Sequence, residues 1–208
     1  MKIRDKSKLF VILIYTAVIL LGGYVGYRVW LNQHTMNLMY KTPFNQFYGP
    51  ANSEKVMIEF LDYRCKYCRE VHKVVLEFLD QNPDVKLIYR HMLVFERPSL
   101  IDAEIALAAG MHNKFEQAHE YLISREDPIL DREIDDLAMS LGIDPKQFRK
   151  DMKDYHMGQF LIETINSSAI LGIESVPTFI VGDVVYSLTE GMPTVETFEE
   201  LLAQAYGE

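Results

Sequence analysis

Two cysteines, Cys65 and Cys68, are the residues of this chain whose type and spacing point most directly to chemistry, and the sequence contains no others. A disulfide between them would close a very short loop, whereas the stabilisation that a disulfide gives a fold grows with the length of the loop it closes. A bridge that stabilises so little is better explained by reversible oxidation and reduction. We therefore predict a thiol–disulfide redox pair.

The segments on either side of the cysteines predict how they are positioned. Residues 56–61 are an apolar run rich in strand-forming side chains, and from Cys68 onward apolar residues recur at helical spacing until Pro83. A cysteine at the start of a helix faces unpaired N–H groups and the positive end of the helix dipole, which both favour the thiolate. Cys65 is therefore predicted to be the nucleophile and Cys68, one turn further in, the resolving thiol.

The two residues between the cysteines, Lys66 and Tyr67, are predicted to tune the redox potential. A cation beside a thiolate stabilises the reduced form and makes the disulfide a stronger oxidant. Lowering a thiolate pKa from about 8.5 to about 3.5 corresponds to about 7 kcal/mol, which is enough to span the range of potentials known for such pairs.

The remaining pattern predicts an α/β fold in the order β-α-β, a helical insertion, and β-β-α. Residues 85–90 read as a second strand, parallel to the first because a helix connects them. Residues from about 100 to 165 are mainly helical in pattern, and residues 177–186 resemble a hairpin that turns at Gly-Asp. A last helix is predicted at residues 195–206.

The N-terminal segment predicts one transmembrane helix before this domain. Residues 9–27 are 19 consecutive uncharged residues, long enough to cross a hydrocarbon core of about 30 Å, whereas the apolar part of a cleaved signal peptide is usually shorter. More bases precede the segment than follow it closely, which places the N-terminus in the cytoplasm. The expected organisation is a basic tail at 1–8, an anchor at 9–31, a tether at 32–52 and a folded domain at 53–208.

The charge of the chain excludes one class of function. The sequence has 21 Lys and Arg against 30 Asp and Glu, a formal net charge of −9. Several of these bases precede the apolar segment, so the folded domain alone has a more negative net charge than the whole chain. An acidic surface repels phosphate backbones. Nucleic acid is therefore not an expected partner.

Three stretches resemble the DsbA-like branch of the thioredoxin superfamily: residues 49–52, residues 56–68 with the two cysteines, and residues 175–179. The resemblance implies a thioredoxin-like fold with a helical insertion. It also implies that Pro177 is a cis proline facing the cysteines, that Val176 and Thr178 contact substrate, and that Glu59 is a buried acid that moves protons at Cys68. Read without the resemblance, Pro177 could simply begin a strand and Glu59 could face solvent on an edge strand.

One departure from the family pattern concerns redox strength. Lys66 and Tyr67 stand where the strongest oxidases of the family have Pro-His. Disulfide isomerase and reductase activities therefore remain alternatives to oxidation. Isomerases of this superfamily usually carry an added dimerisation segment, for which the predicted tether is too short, so the introduction of disulfides is favoured.

Two other readings of the cysteines are an inert structural bridge and half of a metal site. A metal site needs further ligands, and His72 is the histidine nearest in sequence; we predict it to be a solvent-facing helix residue. No metal and no cofactor are expected. The predicted protein is an enzyme of the bacterial cytoplasmic membrane, with its domain in the periplasm or outside the cell. Its expected partners are thiol-containing exported proteins and a membrane redox protein that reoxidises the pair.

Overall fold

The computed structural model describes residues 3–207, with side chains from Lys8 onward. The predicted basic tail, residues 1–8, therefore lies almost entirely outside the described side chains. Eight α-helices, five strands and one short 3-10 helix, Leu188–Glu190, follow one another along the described part of the chain. In chain order, the α-helices and strands are α1 Ile3–Met39, β1 Phe47–Tyr48, β2 Lys55–Leu61, α2 Lys66–Gln81, β3 Val85–His91, α3 Arg97–Met111, α4 Phe115–Ile123, α5 Asp131–Ser140, α6 Pro145–Asp151, α7 Tyr155–Leu171, β4 Thr178–Val181, β5 Val184–Ser187 and α8 Val195–Tyr206.

The five strands form one mixed sheet in the order β1-β3-β2-β4-β5. Strands β2 and β3 are parallel, as the connection through α2 predicts, whereas β4 pairs antiparallel with β2 and β5 antiparallel with β4. The β4–β5 hairpin turns at Gly182, whose φ of 58° lies in the left-handed region that glycine adopts without penalty. The predicted thioredoxin-like order with a helical insertion is confirmed; the insertion comprises α3 to α7, from Arg97 to Leu171.

Strand β2 lies at the centre of the sheet, so both of its faces are buried. Side chains alternate between the two faces of a strand. Ile58 and Phe60 pack in one apolar cluster with Met39 of α1. Met57 and Leu61 pack on the other face, in the larger cluster that contains both cysteines and the buried side of α2. The cysteines are therefore supported by the larger of the two cores.

The predicted tether at residues 32–52 is wrong in two places, where the chain forms regular structure. Helix α1 continues to Met39, which is fully buried, and residues 47–48 form the edge strand β1. Thr35 and Met39, four residues apart, are both buried and so lie on one face of the helix. The other residues of this stretch are mainly polar, and two buried positions are too few to show a helical period, so the sequence pattern predicted an irregular linker.

Arg90 fixes the end of α1 to the domain. Its guanidinium donates to the backbone carbonyls of Leu38, Met39 and Lys41 at 2.7–2.8 Å and lies 4.7 Å from the ring centre of Phe160. The last carbonyls of a helix have no partners within the helix, so an arginine beside them satisfies groups that would otherwise be unpaired. The N-terminal helix therefore joins the domain through direct contacts.

The earlier part of α1 has the properties of a membrane span. One helix among the described residues, Lys8–Met39, is long and apolar enough to cross a membrane, with a mean hydropathy of 2.3 in its most apolar window and none of that window buried. A leader sequence near the N-terminus would share these properties. The exposed apolar side chains need an apolar surrounding that the rest of the described chain does not supply.

Candidate active site

The two cysteines lie at the junction of β2 and α2, as predicted. Cys65 is the residue before the helix, with extended backbone dihedrals (φ −76°, ψ 119°), and Cys68 lies in its first turn. Cys65 is 7% exposed, whereas Cys68 is fully buried. Both are free thiols in this structure. Of the two, only Cys65 retains exposed surface, which is the difference that the predicted roles of nucleophile and resolving thiol require.

The surroundings of Cys65 favour its thiolate. The Cys68 thiol donates a hydrogen bond to it, and the backbone N–H groups of Cys68 and Tyr67 do the same; against the opposing effect of burial, they lower the pKa of Cys65 from 9.0 to about 6. The helix N-terminus contributes as predicted, but the largest cause is the second cysteine. At neutral pH Cys65 is therefore mostly ionised.

Cys68 has the opposite environment. Burial, followed by the hydrogen bond to Cys65, raises the pKa of Cys68 well above its ordinary value, and the nearby carboxyl of Glu59 adds to the effect. A thiol with such a pKa cannot attack a mixed disulfide until a base takes its proton. Resolution at Cys68 consequently needs a proton acceptor inside the protein.

Glu59 is placed where such an acceptor is needed. It is 2% exposed and lies two residues from both Met57 and Leu61 along β2, so its side chain is on the same face as theirs and points to the core that holds the cysteines. Its Oε2 atom has no hydrogen-bond partner, and burial raises the pKa of Glu59 from 4.5 to about 8. The alternative of a solvent-facing acid is wrong, because β2 is a central strand.

The cis peptide bond predicted at Pro177 lies beside Cys65. The Val176–Pro177 peptide bond is cis, and the Val176 carbonyl oxygen lies 3.6 Å from the Cys65 Sγ atom. Val176 also lines an open groove of about 450 Å³ beside the exposed Tyr67. The other residues along this groove are Ser175, Leu188, Thr189 and Met192. An extended peptide could therefore reach Cys65 along a surface that is mainly apolar.

Two predicted site residues have other positions than expected. The Thr178 side chain is buried, and its hydroxyl donates to the Ser175 carbonyl oxygen at 2.7 Å, so it is not available to a substrate. The Lys66 ammonium is exposed and lies 3.3 Å from the Glu70 carboxylate. It is not among the groups that lower the pKa of Cys65. Redox tuning by Lys66 therefore remains a prediction without support from these contacts.

The sequence reasoning missed the polar residues that hold the cysteine loop. Asp62 accepts hydrogen bonds from the backbone N–H groups of Arg64 and Val94, both at 2.8 Å, and Arg64 forms a buried ion pair with Asp102 of α3 at 2.6 Å. Burial raises the pKa of Asp102 to about 6, with Arg64 acting against it. An Asp three residues before a helix-starting Cys is a known turn-forming signal and could have identified Asp62.

A second missed feature is a buried chain of rings behind the cysteine loop. The Tyr63 hydroxyl lies 3.0 Å from His119 Nδ1 and 3.2 Å from His91 Nε2. Burial lowers the pKa of His91 to about 3 and that of His119 well below its ordinary value, so both rings are neutral. His72 belongs to the same cluster, since its ring contacts that of His119. The prediction that His72 faces solvent is wrong: it is buried against α4.

Comparison with known proteins agrees with this architecture. A sequence model of the family described as Thioredoxin matches residues 41–204. Among curated proteins, the Na(+)/H(+) antiporter NhaA 1 of Salinispora arenicola is 25% identical over 135 residues, which are 64% of this chain. The aligned region spans only 21% of that antiporter's length.

Several solved structures share the fold. A thioredoxin-like oxidoreductase from Silicibacter pomeroyi superposes with a TM-score of 0.74 at 24% identity, covering 83% of this chain and 98% of that chain. The thiol-disulfide exchange protein alpha-DsbA2 from Wolbachia pipientis gives 0.73 at 21% identity, over 86% and 96%. The catalytic domain of Proteus mirabilis ScsC gives 0.72 at 18% identity, over 86% and 98%. The chain therefore belongs to the thioredoxin family, and its fold is the one that these DsbA-like structures share.

Proposed function

We propose that the protein is a thiol–disulfide oxidoreductase that introduces disulfides into exported proteins. The observation that carries the proposal is the asymmetry of the pair: Cys65 retains some exposed surface and has a pKa of about 6, whereas Cys68 is fully buried and has a raised pKa. An inert structural bridge needs no such difference. The named activities of the DsbA-like relatives, thiol-disulfide exchange in the case of alpha-DsbA2, support the same reading.

In the proposed reaction the oxidised enzyme carries a Cys65–Cys68 disulfide. A substrate thiolate attacks the Cys65 sulfur, forming a mixed disulfide and releasing Cys68 as a thiolate. Glu59, protonated at neutral pH because of its raised pKa, gives Cys68 its proton. The second substrate thiol loses its proton to solvent and attacks the substrate sulfur of the mixed disulfide. Cys65 leaves as a stabilised thiolate, and the substrate has lost two electrons to the enzyme.

The direction of this reaction depends on how strongly the reduced enzyme is stabilised. A low pKa of Cys65 makes it a good leaving group and favours the reduced enzyme over its disulfide. The groove along Tyr67 and Val176 offers a mainly apolar surface to an extended chain, with little demand on its sequence. These features suit the oxidation of unfolded polypeptides, with a membrane redox protein needed to remove the two electrons.

We further propose that α1 anchors the enzyme in the bacterial cytoplasmic membrane with its domain on the outer side. The length and hydropathy of the helix support a span, and the bases before it support a cytoplasmic N-terminus. Arg90 and the buried Met39 join the outer end of α1 to the sheet. The active site would then be held at a defined distance from the membrane, where a membrane-embedded redox partner can reach it.

The reduction potential of the full chain, in lipid nanodiscs and glutathione buffers, tests the proposed direction. We expect a value above about −200 mV, toward the −120 mV of the strongest oxidases. A value near −270 mV would identify a reductase instead. Cys65→Ser, which can form no intramolecular disulfide, is the control that shows the transition belongs to this pair.

A further inference from the structure

Three potential metal ligands meet where α2 packs against α4. His72 comes from α2, and His119 and Glu120 come from α4. One ligand atom from each of the three lies within 4.8 Å of the others. The His72 Nε2 atom is 3.0 Å and 3.2 Å from the two carboxylate oxygens of Glu120. The cysteines are not part of this group.

His119 supplies an independent observation that points to a ligand. Its ring is buried, its Nδ1 atom is engaged by the Tyr63 hydroxyl, and its Nε2 atom has no hydrogen-bond partner. Buried polar atoms are nearly always paired in native proteins, so an unpaired one calls for an explanation. Packing alone does not explain the unpaired nitrogen, because an apolar side chain could fill the same space.

We propose that His72, His119 and Glu120 form a binding site for a divalent transition-metal ion, with Zn²⁺ as the ion that fits best. Two imidazole nitrogens and one carboxylate are a ligand set that Zn²⁺ accepts, at ligand distances of about 2.0–2.2 Å, with a fourth position left open. The atoms already lie close together, so only small side-chain movements are needed. The Glu120 side chain is 45% exposed, which gives the ion a route from solvent.

The residues behind His119 form the outer support that metal-binding histidines usually have. With Nε2 on the metal, Nδ1 carries the proton and donates it to the Tyr63 hydroxyl, which in turn can donate to His91 Nε2. This arrangement fixes the tautomer and the orientation of the His119 ring. Tyr63 lies two residues before Cys65, so the metal site is joined to the catalytic loop through one hydrogen bond.

Zinc titration of the full chain in lipid nanodiscs tests the proposal. The cysteines are replaced by serine in every sample (Cys65→Ser with Cys68→Ser), so that thiols cannot bind the metal and the result does not depend on redox activity. We expect one saturable site whose affinity falls at least tenfold with Glu120→Gln. Glu116→Gln, an exposed acid on the same helix, is the matched control and should bind Zn²⁺ like the parent.

Two further measurements separate a ligand role from a structural one. Co²⁺ bound at the site should show the visible absorption of a four-coordinate ion, and Glu120→Gln should change it. Tyr63→Phe, which removes the support of His119 without touching the metal, should weaken Zn²⁺ binding by about 10- to 100-fold. Absence of a saturable site, or equal affinity of the Glu120→Gln and Glu116→Gln chains, would overturn the proposal whatever the outcome for the cysteine pair.

Discussion

Replacement of Glu59 by glutamine is expected to make the protein more stable and slower in its chemistry. The fold keeps this carboxyl protonated up to about pH 8, whereas the unfolded chain releases the proton near 4.5. Between those values the unfolded chain binds fewer protons, so stability falls as the pH rises. At pH 7 the buried carboxyl lowers the free energy of unfolding by at most about 3 kcal/mol. We expect Glu59→Gln to recover about 1 to 3 kcal/mol of this, and not always the full amount, because the buried amide also lacks a hydrogen-bond partner.

Denaturant unfolding of the full chain in nanodiscs across pH measures this effect. The gain should disappear below about pH 4.5, where Glu59 is protonated in both states. Glu54→Gln replaces an exposed acid next to the same strand and should change stability little. A Glu59→Gln protein that is equally or less stable at pH 7 would show that the carboxyl is not held neutral by burial.

The catalytic effect of the same change should appear at Cys68. In the reductive direction Cys68 must lose its proton before it can resolve a mixed disulfide, and we expect the ionised fraction of the nearby buried Glu59 to accept that proton. Positioned acid–base groups contribute about 10²- to 10⁴-fold, so we expect resolution of a Cys65–glutathione disulfide to slow by at least about tenfold. An unchanged rate in stopped-flow measurements would remove Glu59 from the mechanism.

Replacement of Cys68 by alanine is expected to raise the pKa of Cys65 by more than about one unit. The Cys68 thiol is the largest cause of the low pKa, ahead of the backbone N–H groups that the variant keeps. Each unit above pH 7 lowers the thiolate fraction about tenfold, so alkylation of Cys65 at pH 7 should slow accordingly. The pH dependence of iodoacetamide alkylation gives the pKa directly.

Serine at position 68 is the matched control for that change. Cys68→Ser removes the redox activity as alanine does, but it retains a hydroxyl that can donate to the Cys65 thiolate. We expect its Cys65 pKa to stay closer to that of the parent chain. Alanine and serine variants that both keep the Cys65 pKa of the parent chain would show that the helix N-terminus, and not the second cysteine, controls Cys65.

The cysteine junction and the order of the elements could be predicted because they depend on local signals. Hydrophobic period, turn residues and the spacing of Cys65 and Cys68 are properties of neighbouring residues. Glu59 was harder, because alternation along a strand places a side chain on one of two faces without saying which is buried. The central position of β2, which depends on pairing with β4 far along the chain, decides that question.

The features that the sequence did not reveal are contacts between distant segments. The end of α1 is helical because Met39 packs against the sheet, Thr35 is buried and Arg90 caps its carbonyls, and none of these contacts leaves a local pattern. His72 is likewise buried only because α4 lies against α2. Thr178 follows the predicted cis proline in sequence, but its hydroxyl turns back to Ser175. Such tertiary contacts override local expectation.

The measurement that most directly tests the account is the pH dependence of Cys65 alkylation in the reduced, unmodified chain. The structure places the midpoint near pH 6, with Cys68 remaining unmodified over the same range because it is buried. Such a profile would establish an accessible thiolate beside a protected partner, on which both the mechanism and the proposed oxidase activity depend. A midpoint near 9, or equal labelling of the two cysteines, would contradict it.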